Sequence, residues 1–108
     1  MSKLIKEVTD ATFKNDVESS EMPVMLDFWA SWCMPCNMMT PLLEEAAEKY
    51  KDKITIAKLN VEDNQAVATQ LGIMNIPAFV FFKNGKEVSR FVGVVPKEEL
   101  SRRIEEVL

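Results

Sequence analysis

The chain has 108 residues, 47% of them hydrophobic and 28% charged, and 13 basic against 17 acidic side chains leave a net charge of −4. That is the balance of one folded domain large enough to bury a core, which excludes a disordered chain, and its mildly acidic surface excludes nucleic acid as the main partner. The longest uninterrupted apolar run, Ile76 to Phe82, is too short to span a bilayer, so no membrane association is expected.

The opening MSKLIKEVTD carries no apolar signal-peptide core, and a cytoplasmic location is expected from it. Ile5 to Val8 reads as a first strand. Asp10 then offers an N-cap to a helix on which Phe13 and Val17 are i, i+4 partners. Pro23 to Ala30 (PVMLDFWA) is a nearly continuous apolar run with one charge, the pattern of a central strand covered on both faces. From Met34 to Tyr50 the period becomes helical. Met38, Leu42 and Ala46 line up beside Met39, Leu43, Ala47 and Tyr50, which assigns both Met38 and Met39 to the core. Pro41 sits inside this helix and predicts a kink, because the residue 37 carbonyl loses its N–H partner.

Ile54 to Asn60 is the next strand. Asp63 to Leu71 reads as a short helix with Val67 and Leu71 as its buried pair and Gly72 as its stop. Ala78 to Lys83 and Glu87 to Val92 are strands joined by Asn84-Gly85, a strong hairpin signal because both residues tolerate positive φ. Pro96 opens the last helix, with Leu100, Ile104, Val107 and Leu108 on one face and a solvated Glu and Arg face opposite. The order βαβαβαββα predicts an α/β fold in one domain spanning residues 1–108. Its mixed five-stranded sheet is parallel where crossovers connect strands, antiparallel at the hairpin, and flanked by four helices.

Both cysteines lie in WASWCMPC, residues 29 to 36, and the chain has no histidine. A C-x-x-C pair can be half a metal site, a static disulfide or a redox centre. Without histidine two thiolates cannot fill a tetrahedral site, so metal would require a bridged dimer. A static disulfide is uncommon in the cytosol. Cys33 falls where a buried strand turns into a helix, and the free N–H groups there favour a thiolate. Cys36, one turn on, is more enclosed, so the pair reads as an exposed nucleophile and a resolving thiol. Pro35 lacks an N–H where the first turn would not use one. Asp27, a carboxylate inside an apolar strand, is desolvated and its pKa should rise toward a range useful for acid–base work. Lys58, on the neighbouring strand, could moderate that rise or simply snorkel to the surface.

These residues carry a resemblance. Asp27, Phe28, Trp29, Ala30, Trp32, Cys33, Pro35, Cys36, Pro41, Lys58, Pro77, Asn84-Gly85 and Gly93 occur in the order and spacing of the thioredoxin family, over essentially the whole chain. The resemblance implies the thioredoxin fold, reduction of protein disulfides through a redox-active Cys33–Cys36 pair, and no bound cofactor or metal. It implies a thioredoxin reductase and disulfide-containing client proteins as partners, and a monomer is expected. It also implies a cis Ile76-Pro77 bond facing the sulfurs, with Trp32, Pro35, Lys58 and Pro77 supporting the site.

The chain departs from the family in four places. Family members usually carry Gly where Met34 stands, and many carry Lys or Arg where Asn37 stands. Where this chain has Met74-Asn75, they have a basic or small polar residue followed by Gly or a similar residue. The expectation is that Trp32, Met34, Met74, Ile76, Gly93 and Val94 form an adaptable apolar docking surface around the exposed sulfur. The alternative is that Met34 and Met74 are neutral at exposed positions. Two other roles stay open beside a dithiol donor: an oxidase or isomerase on the same fold, and an interaction subunit whose thiols do not matter.

Overall fold

A computed structural model describes residues 3–108. Five strands form one sheet in the order β1-β3-β2-β4-β5: β1 Ile5–Glu7, β2 Val24–Trp29, β3 Thr55–Asn60, β4 Ala78–Lys83 and β5 Lys86–Val92. β3 runs parallel to both β1 and β2, while β4 is antiparallel to β2 and to β5. The helices are α1 Met34–Lys49, α2 Gln65–Gln70 and α3 Lys97–Glu105, with a π-helical turn over Lys14–Glu18 between β1 and β2. The order and mixed sheet are those expected. β2 lies at the centre, buried from Val24 to Phe28, as its apolar run requires.

Strand alternation splits the core in two. Met25, Ile56, Phe79 and Phe81 point to the face covered by α1 and α3, against Met39, Leu43, Leu100 and Ile104. Leu26, Phe28, Ala57, Leu59 and Val80 point to the other face, against Phe13, Val17, Val67 and Ala68. Asp27 pairs in register with Lys58 of β3 and Phe79 of β4, which puts it on the α1 face. The Asn-Gly turn forms as read, with φ of 54° at Asn84 and 78° at Gly85. A Cβ on Gly85 would lie 2.5 Å from the Glu18 carbonyl oxygen, so close approach as well as φ selects glycine there.

Several local expectations are corrected. Asp10 does not cap the segment that follows it. Thr9 does, in a reciprocal pair: Thr12 N donates to Thr9 Oγ1 (3.2 Å) and Thr9 N donates to Thr12 Oγ1 (2.9 Å). Asp10 instead reaches across the fold to α2, where its carboxylate accepts from Ala66 N and Val67 N, each at 3.0 Å. α2 begins two residues later than expected, and Leu71 is only half-buried beside it. Met38 is exposed while Met39 is fully buried, because the core stripe of α1 is narrower than the spacing suggested. Leu108 is exposed, past the end of α3. Pro41 lies inside α1, as expected.

Candidate redox site

Cys33 is the N-cap of α1, with extended backbone (φ −87°, ψ 105°), and Pro35 occupies the first turn, where its missing N–H leaves no gap. Cys33 and Cys36 are joined as a disulfide, with Cα atoms 5.3 Å apart. The Cys36 N–H donates to Cys33 Sγ at 3.3 Å, so one of the unpaired donors of the helix start is directed at that sulfur. The expected contrast in exposure is absent in this oxidised form. Cys33 is 4% exposed and Cys36 2%, and both pack with Ala30 against Trp29, Val61 and Ile76. The two sulfurs differ by position: Cys33 sits at the helix end, and Cys36 inside the first turn.

Asp27 lies on the sheet face beneath α1 and is fully buried, with no hydrogen-bond partner for either carboxylate oxygen. Burial pushes its pKa up to about 7, and the positive charge of Lys58 offsets part of that rise. Lys58 is also buried. Its Nζ stands 4.2 Å from the centre of the Trp29 ring, a cation–π contact that gives the ammonium a partner without an ion pair. A cavity of about 270 Å³ opens beside Lys58, Trp29 and Asn60.

The bond between Ile76 and Pro77 is cis, and the Ile76 carbonyl oxygen lies 3.9 Å from Cys33 Sγ. Gly93 N donates to the Pro77 carbonyl at 2.8 Å, which brings the end of β5 alongside this bond. Gly93 has φ of 96° with open space where a Cβ would stand, so backbone conformation selects glycine here. Of the residues expected to form a docking surface, Trp32, Met34, Met74 and Val94 are exposed, and Ile76 is half-buried.

Three residues of the site were not anticipated in their roles. Glu62 accepts from Ser31 N (2.7 Å) and Ser31 Oγ (2.8 Å), and Asn37 Nδ2 donates to the Ser31 carbonyl (3.2 Å). Together they clamp the loop that carries Trp32 and Cys33. The backbone donation from Ser31, then its hydroxyl, hold the Glu62 carboxyl below its usual range. Asn37, where the resemblance leads one to expect a cation in many members, commits its amide to this clamp. Glu62 is 31 positions from Ser31 in sequence, and no local pattern signals the pairing.

Comparison with known proteins yields one family. The model described as Thioredoxin matches residues 4–106. The thioredoxin of Alicyclobacillus acidocaldarius is 48% identical over 101 residues, covering 94% of this chain and 95% of its own. Thioredoxin 1 of a Nostoc species is 47% identical over 102 residues, with coverage of 94% and 95%. The thioredoxin of Haemophilus influenzae is 44% identical over 97 residues, covering 90% and 91%.

Proposed function

The chain belongs to the thioredoxin family, and on that premise we propose how its cysteine pair works and what surrounds the reaction. The protein is a dithiol–disulfide oxidoreductase. Reduced Cys33, as a thiolate, attacks one sulfur of a client disulfide and expels the other client sulfur as a thiolate, leaving a mixed disulfide. Cys36 passes its proton to Asp27 and attacks Cys33 Sγ. The remaining client sulfur leaves, the client has gained two electrons, and the Cys33–Cys36 bond has closed. A thioredoxin reductase then returns two electrons to the pair.

The placement of Cys33 at the N-cap of α1, with a helix-start N–H aimed at its sulfur, carries the assignment of the nucleophile. Asp27 suits the proton role because its carboxyl titrates near neutrality on the face beneath α1. Trp32, Met34, Met74, Ile76, Gly93 and Val94 are the docking rim for clients and reductase. Lys58, Pro35 and Pro77 support the site. The chain acts as one domain and as a monomer. We place its work in the cytoplasm, where a reductase-driven dithiol pool exists; no helix among the described residues is long and apolar enough to cross a membrane.

The test is trapping. In a Cys36→Ser variant Cys33 attacks but the mixed disulfide is not resolved, so client proteins accumulate as covalent adducts. Failure to capture any adduct overturns the assignment of Cys33. The docking rim is tested separately with a Met34→Gly, Met74→Arg double variant, and unchanged rates with several protein disulfides and with the reductase overturn it.

One observation favours a second reading. Met34 stands between the sulfurs where the family usually has Gly, and residues at that position tune the balance between dithiol and disulfide. An oxidase or isomerase role follows if titration against glutathione places the pair many tens of millivolts toward the oxidising side.

A further inference from the structure

Two of the six residues assigned to the docking rim, Met34 and Met74, are thioethers, and Met38 is a third exposed one. Met34 is 74% exposed, Met38 59% and Met74 88%, whereas Met25 and Met39 are fully buried. Met34 and Met38 are an i, i+4 pair on α1 and so share one side of its first turns. Met74 stands two residues before Ile76, whose carbonyl oxygen is 3.9 Å from Cys33 Sγ. Helical spacing would put Met38 in the core, yet it lies outside, on the same side as Met34.

We infer that Met34, Met38 and Met74 are a peroxide-sensitive modification site, and that their oxidation to sulfoxides weakens docking of protein clients. This rests on the rim being the docking surface. Each thioether sulfur loses two electrons to a hydroperoxide; the O–O bond breaks, one oxygen stays on sulfur as the sulfoxide, and the other leaves as water (or as an alcohol from an organic hydroperoxide). The product is a polar group where an apolar, deformable one stood, and methionine sulfoxide reductases can reverse it. The reacting cysteines are 4% and 2% exposed as the disulfide, so peroxide can alter the docking surface while the redox pair remains protected. The modification thus separates partner binding from sulfur chemistry.

The test treats the oxidised, full-length protein with hydrogen peroxide and maps oxygen incorporation by peptide mass spectrometry. Met34, Met38 and Met74 are expected to oxidise well ahead of Met25 and Met39. Treated and untreated protein are then reduced with dithiothreitol and freed of it, and single-turnover reduction of insulin is compared between them, alongside reduction of the small disulfide 5,5′-dithiobis(2-nitrobenzoic acid). The insulin rate should fall at least about fourfold, the loss expected from one methylene's worth of apolar contact, while the small disulfide is reduced as before. In a Met34→Leu, Met38→Leu, Met74→Leu variant, the ratio of treated to untreated insulin rates should stay near one. The inference is overturned by oxidation with no preference for the three, by an unchanged insulin rate in the oxidised protein, or by an equal loss in the leucine variant. If the Met34→Gly, Met74→Arg variant alters client rates and peroxide does not, the modification fails and the docking rim stands. If neither alters them, both fail.

Discussion

Asp27 is the residue at which stability and chemistry oppose each other. Its carboxyl is buried without a hydrogen-bond partner, and its pKa is pushed up to about 7. The folded state therefore holds a proton that the unfolded chain releases near pH 4. Between those two values the folded form binds more protons, so stability falls as pH rises through the window. The span corresponds to roughly 4 kcal/mol at most. In Asp27→Asn that slope disappears, so urea unfolding of the oxidised variant should show a higher midpoint than the parent at pH 8 and a similar one at pH 4. The resolving step moves the other way with pH, because Asp27 accepts a proton only when ionised. Client reduction by Asp27→Asn should drop about tenfold or more at pH 7, with a smaller deficit at pH 9 where solvent base substitutes. A stopped-flow pH profile without that difference would remove Asp27 from the proton path. The raised pKa was legible from one charge inside an apolar strand. The contact of Lys58 with the Trp29 ring was not, because it depends on side-chain placement across two strands.

At the scale of elements, strands, hairpin and α1 followed from local pattern, and the joints between elements did not. Asp10 shows why. In sequence it precedes a helical pattern and has the right side chain for a cap. In the fold its two oxygens accept from Ala66 N and Val67 N, more than fifty positions away, while Thr9 and Thr12 cap each other. A six-residue helix such as α2 has too few internal hydrogen bonds to stand alone, so a partner from the loop after β1 is part of what holds it. Asp10→Ala should cost about 1–2 kcal/mol, read as a lower urea midpoint, and hydrogen exchange should show the loss concentrated in the 64–71 segment. Uniform loss across the sheet would mean that Asp10 is not a local cap. By contrast, the pairs of Glu99 with Arg102 and Arg103 on α3 lie at the surface and add little.

For the whole molecule, one sheet with a core on each face holds the N-terminal end of α1 against the Ile76-Pro77 segment. α3 contributes Leu100 and Ile104 to the face that also contains Met39 and Phe79, far along the chain from the cysteines. Ile104→Ala should remove about 2–5 kcal/mol, and its urea midpoint should fall without a change in slope. A loss well under 1 kcal/mol would mean that α3 is dispensable to that core. The sequence by itself determined the element order, the mixed sheet, the central β2 and the redox character of Cys33 and Cys36. Each of these follows from periodicity, turn chemistry, or the company that the family motif keeps, and all are short-range or ordered along the chain. Only the tertiary structure decided that Cys33 is buried when oxidised, that Met38 faces outward with Met34, and that Glu62 clamps Ser31. It also decided that Asp10 caps a helix other than its own. The physical reason is the same in each case: burial and hydrogen-bond partners are set by what the fold brings near, and spacing along one element carries no record of it.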